Sequence, residues 1–164
     1  MSNEATFLRD LKKSFKEHMQ GDFIHFFKIP DMPHFKGSRT KFDIKKPYDC
    51  YCVYKGIPIA IEAKFMKDYR SFGLKDLRDN QIVGLEEMEK AGGKSFVFLN
   101  VRRQRDYVTG AIPCNRLLIF PWKDFKNREK NYRKADLIKY PQTDYEKGRY
   151  SGVDEFLKEV LDIC

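Results

Sequence analysis

The stretch KPYDCYCVYKGIPIAIEAKF, Lys46–Phe65, decides the fold. It holds two apolar runs separated by Gly56, a pattern that predicts two β-strands joined in a hairpin. Because side chains alternate along a strand, Glu62 and Lys64 should point to one face of the sheet and Ala63 to the other. The second strand therefore presents a carboxylate and an ammonium group side by side.

The hairpin should also fold Asp49, which precedes the first strand, back toward Glu62. Two carboxylates and the amine of Lys64 are then expected to converge on one point. Converging carboxylates bind hard divalent cations through oxygen, and a nearby lysine can orient a water or neutralise a developing phosphate charge. The pattern indicates metal-dependent hydrolysis of a phosphodiester.

The alternative is a solvated charge pair, since Glu and Lys are usually exposed. The apolar density of the strand argues against it: Ile57, Ile59 and Ile61 fill one face, so the strand is expected to be buried on both faces. Burying Glu62 and Lys64 is costly unless they are paired or bind a metal.

These residues resemble the PD-(D/E)xK nucleases. Pro47 lies two positions before Asp49, Glu62-Ala63-Lys64 follows, and 13 positions separate Asp49 from Glu62, as in the Holliday-junction resolvases of the archaeal Hjc and bacterial RecU types. The RecU resemblance spans roughly residues 1–125 and includes the continuation after Lys64, the pair Asn80-Gln81 and the run Gly92–Phe96. The chain departs from the pattern at Tyr48, which separates Pro47 from Asp49, and at Asn80, where the RecU type usually has His.

The resemblance implies an α/β, restriction-endonuclease-like fold with a mixed central β-sheet flanked by helices, on which the order of predicted elements agrees. It implies a Mg²⁺-dependent endodeoxyribonuclease that resolves four-way DNA junctions by paired symmetric nicks, with Mn²⁺ as a substitute metal. Asp49, Glu62 and the backbone carbonyl of Ala63 would hold the metal, and Lys64 would orient the attacking water. Two symmetric strands are cut, so a homodimer is expected.

A first helix is predicted from about Glu4 to Met19, with Asn3 as its N-cap. Glu4 lies in the middle of the apolar stripe that includes Phe7, Leu11 and Phe15. It either favours the positive end of the helix dipole and faces water, or, as the resemblance implies, joins the catalytic site.

A second helix is predicted from about Leu74 to Ala91, with Gln81 at the centre of its apolar face. A buried Gln needs hydrogen-bond partners. Gln81 either bonds neighbouring backbone or faces the catalytic strand and positions Lys64, a water or a phosphate.

Further strands are predicted at 23–29, 95–101 and 117–120, then a short helix from Pro121-Trp122 and a last helix after Gly152. The charged run Lys126–Lys134 fits either nucleic-acid contact or an exposed helix.

The 164 residues suit one domain, 1–164, with net charge +8, which favours a polyanionic partner. No apolar run approaches the length of a membrane span. Cys50 and Cys52 share a strand face and lack a second pair, so they predict reduced thiols in a cytoplasmic protein rather than a zinc site.

Two basic groups are candidates for DNA binding. The segment 35–46 resembles a reduced form of the projecting stalk of the RecU type and carries five cations, Lys36, Arg39, Lys41, Lys45 and Lys46. The second group, Arg102, Arg103 and Arg105, follows a strand and fits phosphate contact or a solvated loop equally well.

Two other functions compete with junction resolution. One is a different nuclease on the same fold, either restriction-type or specific for single strands. The other is a nucleic-acid-binding module without catalysis, in which the acidic residues form surface pairs.

Overall fold

A seven-stranded sheet organises the computed structural model, which describes residues 3–17, 24–30, 46–103, 114–146, 149–151, 153 and 156. The strands are β1 (Ile24–Lys28), β2 (Cys50–Tyr54), β3 (Ile57–Met66), β4 (Lys94–Arg103), β5 (Cys114–Pro121), β6 (Thr143–Glu146) and β7 (Arg149–Tyr150). The helices are α1 (Asn3–Glu17), α2 (Asp79–Lys90), α3 (Trp122–Lys126) and α4 (Lys134–Lys139).

Strand order in the sheet follows chain order. Every pair is antiparallel except β3 and β4, which are parallel because α2 carries the chain back across the sheet between them. The expected α/β arrangement, a mixed sheet flanked by helices, is confirmed.

The hairpin of β2 and β3 turns at Lys55 and Gly56, which have positive φ angles of 48° and 82°. Two central residues with positive φ suit the twist of a tight hairpin, and Tyr54 pairs with Ile57 across the turn. The predicted hairpin is confirmed, and its register places Cys50 opposite Ile61.

Each face of β3 and β4 is covered by a different hydrophobic cluster. On one face α1 packs Phe7, Leu11 and Phe15 against a group that includes Ile59 and Ile61. On the other face, α2 and α3 pack against a group that includes Ala60, Val97 and Leu99. The central strands are buried on both sides, as the apolar density of β3 predicts.

The second helix begins later than predicted. Leu74 lies in a short 3-10 turn and is 39% exposed, so the predicted start of the helix at Leu74 is wrong. Leu77 and Arg78 adopt extended backbone and separate this turn from α2, which begins at Asp79. The side chain of Asp76 accepts a hydrogen bond from the Gly73 N–H, which closes the turn locally.

The charged run after α3 is not a continuous helix. Within it Tyr132 is 6% exposed and pairs with Phe72 in an isolated bridge, with backbone hydrogen bonds in both directions. Its ring packs on Phe120 and Phe125. Tyr132 is therefore a core residue that anchors the segment after β3, and it is buried away from any stacking contact with a base.

In the described ranges no helix combines the length and apolarity needed to cross a membrane. Cys50, Cys52 and Cys114 are free thiols there, and the first two are buried beneath α1. The single domain over 1–164 and the cytoplasmic location stay predictions. Most of the basic segment, 35–45, lies outside the described residues.

Candidate active site

The β2–β3 hairpin brings the two predicted carboxylates together. The Asp49 N–H donates to the Ile61 carbonyl (3.2 Å), which sets Asp49 beside Glu62 at the start of β2. One Asp49 carboxylate oxygen, Oδ2, accepts a hydrogen bond from the Ala63 N–H (3.1 Å). Asp49 and Glu62 are 3% and 1% exposed, so neither is a solvated surface charge.

Gln81 joins Glu62 to Lys64. From the face of α2 that packs on β3, its Nε2 donates to Glu62 Oε1 (2.5 Å) and its Oε1 accepts from the Lys64 ammonium (2.9 Å). The Lys64 ammonium also lies 3.0 Å from Glu62 Oε1. A third contact, from the Arg78 N–H to Gln81 Oε1 (2.9 Å), fixes the amide orientation. Gln81 therefore makes both kinds of contact that the sequence left open, with neighbouring backbone and with Lys64 on β3.

The second oxygen of Glu62, Oε2, is buried and has no hydrogen-bond partner among the described residues. Burial, and then the neighbouring Asp49 carboxylate, raise the pKa of Glu62 to about 8, although Lys64 acts in the opposite direction. Burial therefore favours the protonated form of this carboxyl near neutral pH. A cation bound at this point would displace the proton and satisfy the unpaired oxygen.

The donor set fits a hard divalent cation. Asp49 and Glu62 offer carboxylate oxygens, and no cluster of three or more His, Cys, Asp or Glu side chains occurs among the described residues. Magnesium commonly uses one or two carboxylates and keeps several waters, so two carboxylates suffice. The N–H and C=O of a strand residue point the same way, and the Ala63 N–H points at Asp49. The Ala63 carbonyl therefore faces the same side.

Lys46 belongs to this site, although the sequence suggested only a DNA contact for it. Its ammonium lies 2.7 Å from Asp49 Oδ1, the carboxylate oxygen that does not accept from Ala63. Lys46 precedes β2 in irregular backbone, so neither the two-residue period of a strand nor the 3.6-residue period of a helix could predict where its side chain points. Its position three residues before Asp49 was the only available signal.

Helix α2 also fixes the segment that leads into Asp49. The Asn80 side chain donates to the Lys46 carbonyl (2.6 Å). Gly84 lies against Pro47, so close that a Cβ added to it would come within 2.3 Å of the Pro47 Cβ. One helix thus holds both the Gln81 contacts and the backbone that carries Lys46 and Asp49.

The two arginines at the end of β4 are not equivalent. Arg102 points to the α1 face, where it pairs with buried Asp10 (3.0 Å), a partner that the sequence did not reveal. The Tyr145 hydroxyl donates to the same Asp10 oxygen (2.8 Å). By strand alternation Arg103 points to the face of Glu62 and Lys64, and it pairs with Asp68 (3.4 Å). Their assignments as DNA contacts stay predictions.

The remaining predicted site residues lie outside the described part of the chain. The backbone of Glu4 is in α1, but its side chain is outside the described residues. Lys36, Arg39, Lys41, Lys45 and Arg105 fall in the ranges 31–45 and 104–113. Their roles stay predictions.

Comparison with known proteins gives a family match over most of this structure. The model of the family Recombination protein U, RecU, matches residues 24–149. A Holliday junction resolvase RecU from Bacillus pumilus (strain SAFR-032) is 33% identical over 86 residues. That match covers 52% of this chain and 40% of the relative, so the chain spans less than half the length of this curated relative.

Among solved structures, the chain is similar to Hjc, a Holliday junction resolvase from Archaeoglobus fulgidus. The TM-score is 0.47 with 18% identity, and the match covers 79% of this chain and 81% of that chain.

Gly84→Ala tests whether α2 clamps Pro47. Alanine favours a helix by up to about 1 kcal/mol over glycine, but here its methyl group overlaps Pro47. We expect a net loss of about 1–3 kcal/mol in the free energy of unfolding, as for an overpacked core. Urea denaturation measures it.

The control is Val83→Ala on the same helix, where the side chain is 50% exposed and the change should stay within about 0.5 kcal/mol. A Gly84→Ala protein that is as stable as the wild type would show that the close approach is not required.

Proposed function

Because this chain belongs to the RecU family, we propose that it is a Mg²⁺-dependent endodeoxyribonuclease that resolves Holliday junctions by paired symmetric nicks. The observation that carries the proposal is the buried pair Asp49 and Glu62, with Lys64 held beside it by Gln81. Buried carboxylates with an unsatisfied oxygen have no structural advantage without a cation. Membership in the family then supplies the reaction that such a cation serves.

Asp49, Glu62 and the Ala63 carbonyl are proposed to hold Mg²⁺, with Mn²⁺ as a substitute. When bound, the metal supplies a Lewis acid for the phosphate and lowers the pKa of a bound water. The chain's own contribution is to fix the two carboxylates. The hydrogen bond from Ala63 orients Asp49, and the one from Gln81 orients Glu62.

Lys64 is proposed to orient the attacking water and to neutralise charge that develops on the phosphate. Its side chain is 21% exposed, whereas that of Glu62 is 1% exposed, so the ammonium lies at the boundary between the buried carboxylates and solvent. Gln81 is a positioning residue, because it touches both Glu62 and Lys64 and holds the distance between them. Glu4 is retained as a candidate helper on α1.

Branched DNA is the proposed substrate, and segment 35–46 the proposed element that recognises it. A duplex offers phosphates along a rod, whereas an open junction surrounds a central gap with phosphates from four arms. A basic projection gains the most binding energy from the open junction. The net charge of +8 favours binding to both kinds of DNA. Arg102, Arg103 and Arg105 form the second candidate contact.

The active form is proposed to be a homodimer, because a junction presents two symmetric strands and a two-fold dimer presents two sites. Light scattering under assay conditions gives the stoichiometry. A fully active monomer would contradict this part of the proposal.

Asp49→Asn and Glu62→Gln test the catalytic assignment. Loss of a direct metal ligand should lower the cleavage rate by more than about 100-fold, since even outer partners of metal ligands cost 10–100-fold. Junction binding without metal should remain, because it depends on phosphate neutralisation. Cleavage and gel-shift assays on four-way, duplex and single-stranded DNA measure both, with exposed Glu87→Gln as the control.

Wild-type cleavage by either variant would remove these residues from the mechanism. If wild-type protein cut plain duplex at specific sites, a restriction-type nuclease would replace the resolvase. Mg²⁺-dependent cleavage of none of the three substrates would leave only a binding module.

Joint neutralisation of Lys36, Arg39 and Lys41 by Gln tests the basic segment. Junction affinity should fall, and the slope of log K against log salt should shrink by up to about 0.9 for each phosphate that the protein no longer neutralises. The matched control neutralises Lys75, Lys90 and Lys123, which are exposed in the structure. If both triple variants bind junctions like the wild type across the salt titration, the segment is not the recognition element and the Arg102–Arg105 cluster takes its place.

A further inference from the structure

The two buried carboxylates each have a lysine of their own. Lys64 lies 3.0 Å from Glu62 Oε1, and Lys46 lies 2.7 Å from Asp49 Oδ1. The other Asp49 oxygen accepts the Ala63 N–H, so both oxygens of Asp49 already have a donor. Two neighbouring buried carboxylates repel each other when both are ionised, and the lysines offset that repulsion.

The two lysines lie on different parts of the backbone: Lys64 is on the central strand β3, and Lys46 is in irregular backbone before β2. The Lys64 ammonium contacts Gln81 as well as Glu62. For Lys46 the backbone is fixed, because its carbonyl accepts from Asn80 and Pro47 is packed on Gly84. Its side chain is 23% exposed and ends a flexible four-carbon stem. Lys46 can therefore turn its ammonium toward solvent without moving the backbone that carries Asp49.

A metal ion and the Lys46 ammonium compete for the same carboxylate. A dication on Asp49 would stand next to an ammonium group that lies 2.7 Å from Oδ1. Two cations that close repel strongly where water is largely excluded. A DNA phosphate at the metal offers the displaced ammonium a new anionic partner at the same place.

We propose that Lys46 is a placeholder for the metal: it holds Asp49 in the metal-free protein and moves to a DNA phosphate when the metal binds. This inference rests on the proposed function, because it needs a metal at Asp49 and a phosphate beside it. It separates Lys46 from the other cations of segment 35–46, whose proposed role is DNA binding alone.

The exchange makes metal and DNA binding cooperative. DNA that engages Lys46 releases Asp49 for the metal, and metal that occupies Asp49 releases Lys46 for DNA. Thermodynamic linkage makes the two effects equal in size. The protein therefore binds the metal more weakly without DNA than with a substrate phosphate in place.

Mn²⁺ titration of DNA-free protein by calorimetry tests the placeholder, with a readout independent of cleavage. Lys46→Met should bind Mn²⁺ about fivefold more tightly than the wild type, the effect of removing one partly exposed ion pair. Lys46→Arg keeps the charge and should bind Mn²⁺ like the wild type. Lys90→Met makes the same charge change at the exposed far end of α2 and should leave the affinity unchanged.

Equal or weaker Mn²⁺ binding by Lys46→Met overturns the placeholder while leaving the proposed function intact. Wild-type protein that binds no Mn²⁺ overturns both. If Lys46→Met is misfolded by circular dichroism, Lys46→Gln is titrated in its place, with the same expected gain in affinity.

Junction binding tests the second half of the exchange. In a Lys64→Ala background, which slows cleavage, adding Lys46→Met should weaken junction binding in Mn²⁺ by several-fold and have little effect in chelator. An equal weakening in both conditions would show that Lys46 binds DNA without any exchange, and would overturn the coupling.

Discussion

The burial of two carboxylates side by side is the constraint on which the rest of this structure depends. Asp49 and Glu62 are 3% and 1% exposed, and a protein interior tolerates such charges only when they are paired, protonated or bound to a metal. The structure uses the first two means: Lys46 and Lys64 supply the charges, and burial raises the pKa of Glu62 to about 8. Glu62 Oε2 still has no hydrogen-bond partner within the described part of the chain, and a divalent cation would supply one.

Helix α2 connects the site to the rest of the fold. The helix is joined to β4 by a buried hydrogen bond from the Ser95 hydroxyl to the Leu85 carbonyl (2.7 Å). From that position it reaches β3 through Gln81 and the segment before β2 through Gly84. The parallel crossover from β3 to β4 is therefore also the support of the site. A change in α2 would alter the geometry of the site and the stability of the fold together.

The sequence predicted those parts of the site that follow from regular periods. Alternation along β3 placed Glu62 and Lys64 on one face, and the 3.6-residue period of α2 placed Gln81 at the centre of its apolar face, with its partners left open. Lys46 was assigned only to DNA, because its contact with Asp49 depends on irregular backbone before β2. The start of α2 was predicted wrongly, because the extended backbone of Arg78 is set by tertiary packing. The burial of Tyr132 was not foreseen for a similar reason, because its bridge to Phe72 is a tertiary contact. The basic segment and Glu4 remain as the sequence left them.

Asp49 and Glu62 are proposed to hold one metal site whose geometry is already present in the folded chain. Anomalous diffraction from a crystal of the protein soaked in Mn²⁺ tests it most directly. The account predicts an anomalous peak within about 2.0–2.6 Å of an oxygen from each carboxylate, the range for oxygen ligands of hard cations, with the Lys46 ammonium displaced from Asp49. A fully occupied Mn²⁺ elsewhere on the protein, with Lys46 still on Asp49 and Glu62 Oε2 still unpartnered, would contradict it.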